Sequence, residues 1–89
     1  MDIELLKEDS DGKKYQVNGF RIYYKNKDTI TGDNDINKSE LIYLITGKAE
    51  ITIQDKTWLA EAPAKIEFPA KTYHNIYALT DISFILFFV

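Results

Sequence analysis

The chain has 89 residues, of which 45% are hydrophobic and 13% aromatic, and this composition predicts one globular domain, 1–89, with a small core. A formal net charge of -3, without a basic cluster, argues against nucleic acid or an anionic membrane as a partner. The absence of cysteine excludes disulfides, thiolate metal sites and thiol nucleophiles.

The first third of the chain shows a two-residue hydrophobic period, which is typical of β-strands. Apolar residues alternate with polar ones on both sides of Gly19: Tyr15, Val17, Phe20, Ile22 and Tyr24. The glycine between the two sets indicates two short strands or one bulged strand. Residues 3–7 are the one stretch that fits a helical turn, and the polar segment 26–39 predicts a long loop.

The rest of the chain predicts further short strands. Residues 40–46 are apolar on both faces, which indicates a buried strand, whereas residues 49–54 alternate and indicate a strand with one solvated face. Other strands are expected at 57–59, 66–68, 73–79 and 82–89. Their regular spacing predicts an antiparallel barrel or sandwich.

No segment of the sequence predicts targeting or membrane insertion. The N-terminal residues lack the basic and apolar regions of a signal peptide. The most apolar stretch, 82–89, is far shorter than the ~20 residues that cross a bilayer as a helix. We therefore expect a cytoplasmic protein.

Two short motifs resemble those of the cupin superfamily. Glu40 and Gly47 have the spacing E-x6-G that closes the first cupin motif, G-x5-H-x-H-x3-4-E-x6-G. Pro69 and His74 match the second motif, G-x5-P-x-G-x2-H-x3-N. The two glycines and the asparagine of that motif are replaced by Pro63, Lys71 and Ala78. The resemblance covers about 34–89 and implies a small antiparallel β-barrel or jelly roll with a site in its mouth.

Most of the metal ligands that the resemblance implies are missing. Metal-binding cupins use two histidines and a glutamate from the first motif and a histidine from the second, and only Glu40 and His74 are retained here. The histidine pair would fall at Asp33 and Asp35, or at Asn34 and Ile36. One histidine rarely makes a tight transition-metal site, so no cofactor is expected. A weakly bound divalent metal would use Glu40, His74, Asp33 and Asp35, although the two aspartates are also explained as turn residues.

Glu40 and His74 form the centre of the predicted site. A carboxylate that faces inward from an apolar strand is a candidate ligand, base or hydrogen-bond acceptor. Alternatively, it is a strand-end group that reaches solvent or pairs with His74. We expect both residues in one cavity, with Tyr43, Tyr73 and Tyr77 supplying rings and hydroxyls to a small-molecule ligand. In a barrel this small, aromatic residues also serve as core filling.

Three functions remain open at this point. The first is cupin-like binding or sensing of a small molecule, without catalysis. The second is a divergent cupin enzyme, an isomerase or proton-transfer catalyst that uses Glu40 and His74. The third is a structural dimerisation module. A homodimer is expected, because residues 82–89 are apolar on both faces and would leave an exposed patch and a free strand edge.

Overall fold

The computed structural model describes residues 2–33 and 37–88, which form two antiparallel β-sheets. The strands in the described part are β1 (Ile3–Asp9), β2 (Gly12–Val17), β3 (Phe20–Lys25), β4 (Ile30–Asp33), β5 (Glu40–Thr46), β6 (Lys48–Ile53), β7 (Lys56–Glu61), β8 (Ala64–Phe68), β9 (His74–Ala78) and β10 (Ile82–Phe88). Among the described residues, no helix is long and apolar enough to cross a membrane. The all-β, antiparallel class predicted from the two-residue period is confirmed.

The two sheets pack face to face as a sandwich. The larger sheet has the strand order β1-β2-β3-β10-β5-β8, and the smaller has the order β4-β9-β6-β7. Inward side chains of both sheets meet in one core, with Ile42 and Phe84 from the larger sheet and Ile51 and Ile76 from the smaller. In the described part the sheets stay separate, so the jelly-roll alternative of the prediction describes the molecule better than a closed barrel.

Strand β10 occupies the middle of the larger sheet, between β3 and β5. Its Phe84 is 0% exposed and stacks on Tyr23 with ring centroids 4.7 Å apart. The expectation that residues 82–89 would form a free edge is therefore wrong. The run is apolar on both faces because one face packs into the core and the other belongs to a largely apolar outer surface.

The outer face of the larger sheet carries apolar side chains that are only partly covered. Strand alternation places them opposite the buried Tyr23 and Phe84: Tyr15, Ile22, Tyr24, Tyr43, Ile85 and Phe87. The rings of Tyr43 and Phe87 meet edge to face at 6.1 Å. The homodimer stays a prediction, and this outer face is the surface that a second copy would cover.

Two segments contain more strand than the sequence predicts. Residues 3–7, assigned a possible helical turn, belong to β1, which pairs with β2. The register shifts between Leu5 and Lys7, so Leu6 is an extra residue that hides the two-residue period. Strand β4 lies inside the expected 26–39 loop, and its four residues are too few to show a period.

Candidate functional site

Glu40 and His74 begin strands of opposite sheets and point toward each other. Glu40 is the first residue of β5 in the larger sheet, and His74 is the first residue of β9 in the smaller. Both face inward, because each shares its face with a buried isoleucine two residues later, Ile42 or Ile76. Oε1 of Glu40 lies 3.4 Å from Nε2 of His74, and each residue is only 4% exposed.

Two further contacts fix the imidazole of His74. Its ring stacks on Phe68, with centroids 4.2 Å apart and an interplanar angle of 17°. Its Nδ1 lies 2.9 Å from the carbonyl oxygen of Thr72. Since a carbonyl oxygen only accepts hydrogen bonds, Nδ1 carries a proton and donates it, which leaves Nε2 to face Glu40.

Glu40 Oε1 and His74 Nε2 form a buried polar contact at 3.4 Å. A bare Nε2 opposite an ionised carboxylate would set two acceptors against each other, which is unfavourable for a buried pair. A proton on Nε2 gives an imidazolium–carboxylate pair, and a proton on Oε1 gives a neutral acid and a neutral imidazole. Either arrangement would leave the pair electrically neutral and would supply a proton that could move between the two groups.

Both residues line a cavity of about 270 Å³ between the sheets. Buried apolar side chains from both sheets line its deep part: Ile42, Phe68, Ile76, Phe84 and Leu86. Glu40 and His74 supply the polar groups of its deep part, since both are buried while the remaining charged lining residues lie at the mouth. An apolar cavity with a few convergent polar groups is the usual form of a small-molecule site.

Cationic residues at the mouth of this cavity were missed by the sequence analysis. They lie on the inner faces of β1, β2 and β3: Lys7, Lys14, Arg21 and Lys25. Lys14 pairs with Tyr23 across β2 and β3, and because the Tyr23 ring is buried, the face that the two residues share is the inner one. Strands β2 and β3 therefore turn much of their polar side inward and their apolar side outward. The alternation was visible in the sequence, but the usual assignment of its apolar side to the core fails here.

The three tyrosines predicted to surround the pair do not line this cavity. Tyr43 lies on the outer face of the larger sheet, 38% exposed. The hydroxyl of Tyr77 donates to Oδ1 of Asp28 at 2.9 Å, and that of Tyr73 accepts from Nδ2 of Asn75 at 2.8 Å. Tyr43 and Tyr77 are each three residues from Glu40 or His74, an odd separation that puts them on the opposite face of the strand. The prediction placed these tyrosines in the cavity because they are close to Glu40 or His74 in sequence, but none of the three lines it.

The described residues do not fit a transition metal. No group of three or more histidine, aspartate or glutamate side chains converges in that part of the chain. Glu40 and His74 supply two donors, whereas protein sites for such metals use at least three. Asn34, Asp35 and Ile36 lie outside the described residues, as does the side chain of Asp33, so their predicted part in a weak metal site stays a prediction.

The backbone agrees with the motif alignment at two of its glycine positions. Lys71 takes the place of a glycine in the second motif, and its φ of 58° lies in the left-handed region that glycine favours. Gly47, which closes the first motif, has a φ of 89°, and a Cβ there would run into the carbonyl oxygen of Asp81. Both positions require the backbone conformation that the motif provides with glycine.

No protein-family model and no curated protein matches the sequence, whereas several solved structures match the fold. CapF, a capsular polysaccharide assembling protein from Staphylococcus aureus, superposes with a TM-score of 0.81 at 15% identity, over 99% of this chain and 28% of CapF. SPY1581, a conserved protein of unknown function from Streptococcus pyogenes, gives 0.75 at 22% identity, over 99% of this chain and 72% of that protein. Bacillus subtilis oxalate decarboxylase, which has Mn(II) centres, gives 0.77 at 21% identity, over 98% and 27%.

These comparisons establish the fold of the chain. The chain spans 28% of the length of CapF and 27% of that of oxalate decarboxylase, so it corresponds to one part of those larger proteins. At identities of 15–22% the likeness is one of architecture. The chain has the cupin fold, as its two motifs predicted.

Proposed function

We propose that this cupin-fold domain binds a small molecule in the cavity between its sheets and does so without catalysis of its own. The observation that carries the proposal is the buried Glu40–His74 pair inside that cavity. Burying two ionisable groups is expensive, and apolar residues of similar size would often stabilise a core as well or better. A pair kept at the inner end of an apolar cavity is better explained by a ligand that it contacts.

The shape and chemistry of the cavity limit what it can hold. A volume of about 270 Å³ lies just below the roughly 300–1,000 Å³ that is usual for drug-sized ligands, so the ligand is smaller than most drugs. The apolar walls favour a hydrocarbon or ring portion. A proton on either member of the Glu40–His74 pair would give the inner end both a donor and an acceptor, which suits a hydroxyl or carbonyl group on the ligand.

The enzymatic alternative rests on the same pair. A carboxyl and an imidazole 3.4 Å apart within one cavity supply the two positioned titratable groups that general acid–base catalysis uses. Under this alternative the ligand would be isomerised or would exchange a proton with solvent, rather than leave unchanged. Following the ligand's own NMR signals during a binding experiment separates the two functions.

The test is a fragment screen by two-dimensional NMR on the isotope-labelled chain. We expect small fragments with one polar group to shift the amide signals of β5 and β9, and expect Glu40→Gln to weaken that binding. Glu50→Gln, on the outer face of β6, removes a carboxylate away from the cavity and should leave binding unchanged. A screen in which no fragment shifts the cavity signals would overturn the proposal, as would equal binding by the wild type and Glu40→Gln.

A further inference from the structure

We propose that the ligand of this cavity is a small organic anion whose acidic group is held at the mouth by Lys14 and Arg21. This inference rests on the proposed binding function and adds the chemical class of the ligand. It places the anionic group of the ligand at the mouth and its apolar and hydroxyl-like portions against the walls and the Glu40–His74 pair.

Strand register brings the cations of the mouth together. Lys7 and Lys14 are directly paired across β1 and β2, so two ammonium groups occupy neighbouring positions on the same face. Lys14 is also paired with Tyr23 on β3, and Arg21 and Lys25 flank that tyrosine two residues away on either side. Like charges at directly opposed positions destabilise a sheet unless something of opposite charge lies between them.

The neighbours of these cations neutralise only part of the cluster. Lys7 is paired with Asp9, with Nζ and Oδ2 3.0 Å apart. Arg21 donates from Nε to Oε1 of Gln16 at 3.1 Å, a neutral partner that orients the guanidinium without cancelling its charge. Among the described residues, Lys14 takes part in no ion pair.

Lys14 is held in surroundings that disfavour its positive charge. Burial lowers the pKa of its ammonium group, and the positive charges of Arg21, Lys7 and Lys25 lower it further. Its Nζ lies 5.9 Å from the centre of the Tyr23 ring, on the inner face of the sheet. An anion at the mouth would stabilise the charged form of Lys14, because one acidic group within reach of two or more cations forms a favourable charge-assisted contact with each of them.

The inner end of the cavity decides how the anion is oriented. The inner end carries the carboxyl group of Glu40, which lines the cavity and would disfavour a second acidic group placed beside it. Strand β10 lies between β5, which begins with Glu40, and β3, which carries Arg21, and its Leu86 and Phe88 line the cavity. The acidic group therefore belongs at the mouth, where Arg21 offers a planar set of donors and Lys14 a point charge.

Paired acids and amides test the inference directly. We would titrate the full chain with two pairs of compounds, benzoate with benzamide and glycolate with glycolamide. The two members of each pair differ mainly in charge. Titration with phenyl phosphate then shows whether the site prefers a phosphate or a carboxylate. The acids should bind in the cavity at least about tenfold more tightly than their amides, the effect expected for one charge-assisted hydrogen bond. Raising the salt concentration should weaken binding of the acids only.

Variants of Lys14 provide the structural control. Lys14→Met keeps the aliphatic stem and should weaken acid binding about tenfold or more, whereas Lys14→Arg keeps the charge and should retain binding. Lys56→Met, on the edge strand β7, removes a lysine that does not line the cavity and should have no effect. Spectra of the free variants verify that each one is folded.

The possible results separate this inference from the function on which it rests. Amides that bind in the cavity as tightly as acids would overturn the inference and leave small-molecule binding in place. Acid binding that is unchanged in Lys14→Met would likewise overturn it. If neither acids nor amides perturb the cavity, both the inference and the proposed function fail.

Discussion

Glu40→Gln and His74→Asn, made singly and together, measure how strongly the buried pair is coupled. Glutamine keeps the shape of Glu40 without its ionisable group. Asparagine keeps a donor near the position of Nδ1, and so near the Thr72 carbonyl oxygen, but removes Nε2. The stacking of His74 on Phe68 is lost in both the wild-type and the Glu40→Gln background, so it cancels in the double-mutant cycle.

The structure sets the size of the coupling. Two full charges 3.4 Å apart at an effective dielectric constant of 20 attract by roughly 5 kcal/mol. A neutral hydrogen bond with the same shared proton contributes a net ~1 kcal/mol. If a proton lies between the two groups, we expect a coupling energy between about 1 and 5 kcal/mol, with values above ~2 kcal/mol indicating the ionic form. An 89-residue domain has a total stability of about 4–13 kcal/mol, so these changes are measurable.

The assay is urea unfolding followed by the fluorescence of Trp58, the single tryptophan, which lies on β7. All four proteins should unfold with similar dependence on urea, so that differences in midpoint report stability. Independent sites are additive to within about 0.5 kcal/mol. A coupling energy below that limit would refute the contact between Glu40 and His74, and with it the shared proton that the proposed function uses.

Three other measurements test separate parts of the structure. Burial and neighbouring cations lower the pKa of Lys14, so replacing it in Lys14→Met should raise the melting temperature. The lowered pKa also means that the unfolded state binds more protons than the folded state in the alkaline range. The stability of the wild type should therefore rise with pH in that range. A melting temperature that falls instead would show that the lysine stabilises the free protein. Lys71→Gly should raise the free energy of unfolding by up to about 1 kcal/mol, because Lys71 has a left-handed backbone conformation that glycine adopts without strain. The control Lys65→Gly, within β8, should lower the free energy of unfolding by about 0.5–1 kcal/mol. Changes of the same sign in the two variants would contradict this prediction. Light scattering should give a dimer mass for the wild type and a monomer mass for Tyr43→Lys. Tyr43 lies on the outer face of the larger sheet, which is the surface that a second copy would cover. A monomer mass for the wild type would exclude the dimer.

The two-residue period revealed most of the strands because it is a local property of the chain. Residues 49–54 alternate between apolar and polar side chains, and segments 40–46 and 82–88 are short apolar runs, so these strands were recognisable without knowing their neighbours. It failed where a local irregularity interrupted it, at the Leu6 bulge in β1, and where the strand was only four residues long, in β4. Strand existence was therefore predictable wherever at least five regular residues occurred together.

The sequence by itself determined most of the strands, the two motif glycine positions and the choice of Glu40 and His74 as a pair, because hydrophobic period and motif spacing are local properties of the chain. Only the tertiary structure decided which side of each strand is the inner one. Lys14 and Tyr23 share one face through the pairing of the consecutive strands β2 and β3, and Phe84 joins that face through the pairing of β3 with β10, which is far away in sequence. The pairing of β10 with β3 and β5 also determines that Tyr43 lies on the outer face and that Lys14 and Arg21 lie at the cavity mouth. A two-residue period defines two faces but does not say which one the second sheet will cover, since that depends on how the two sheets pack.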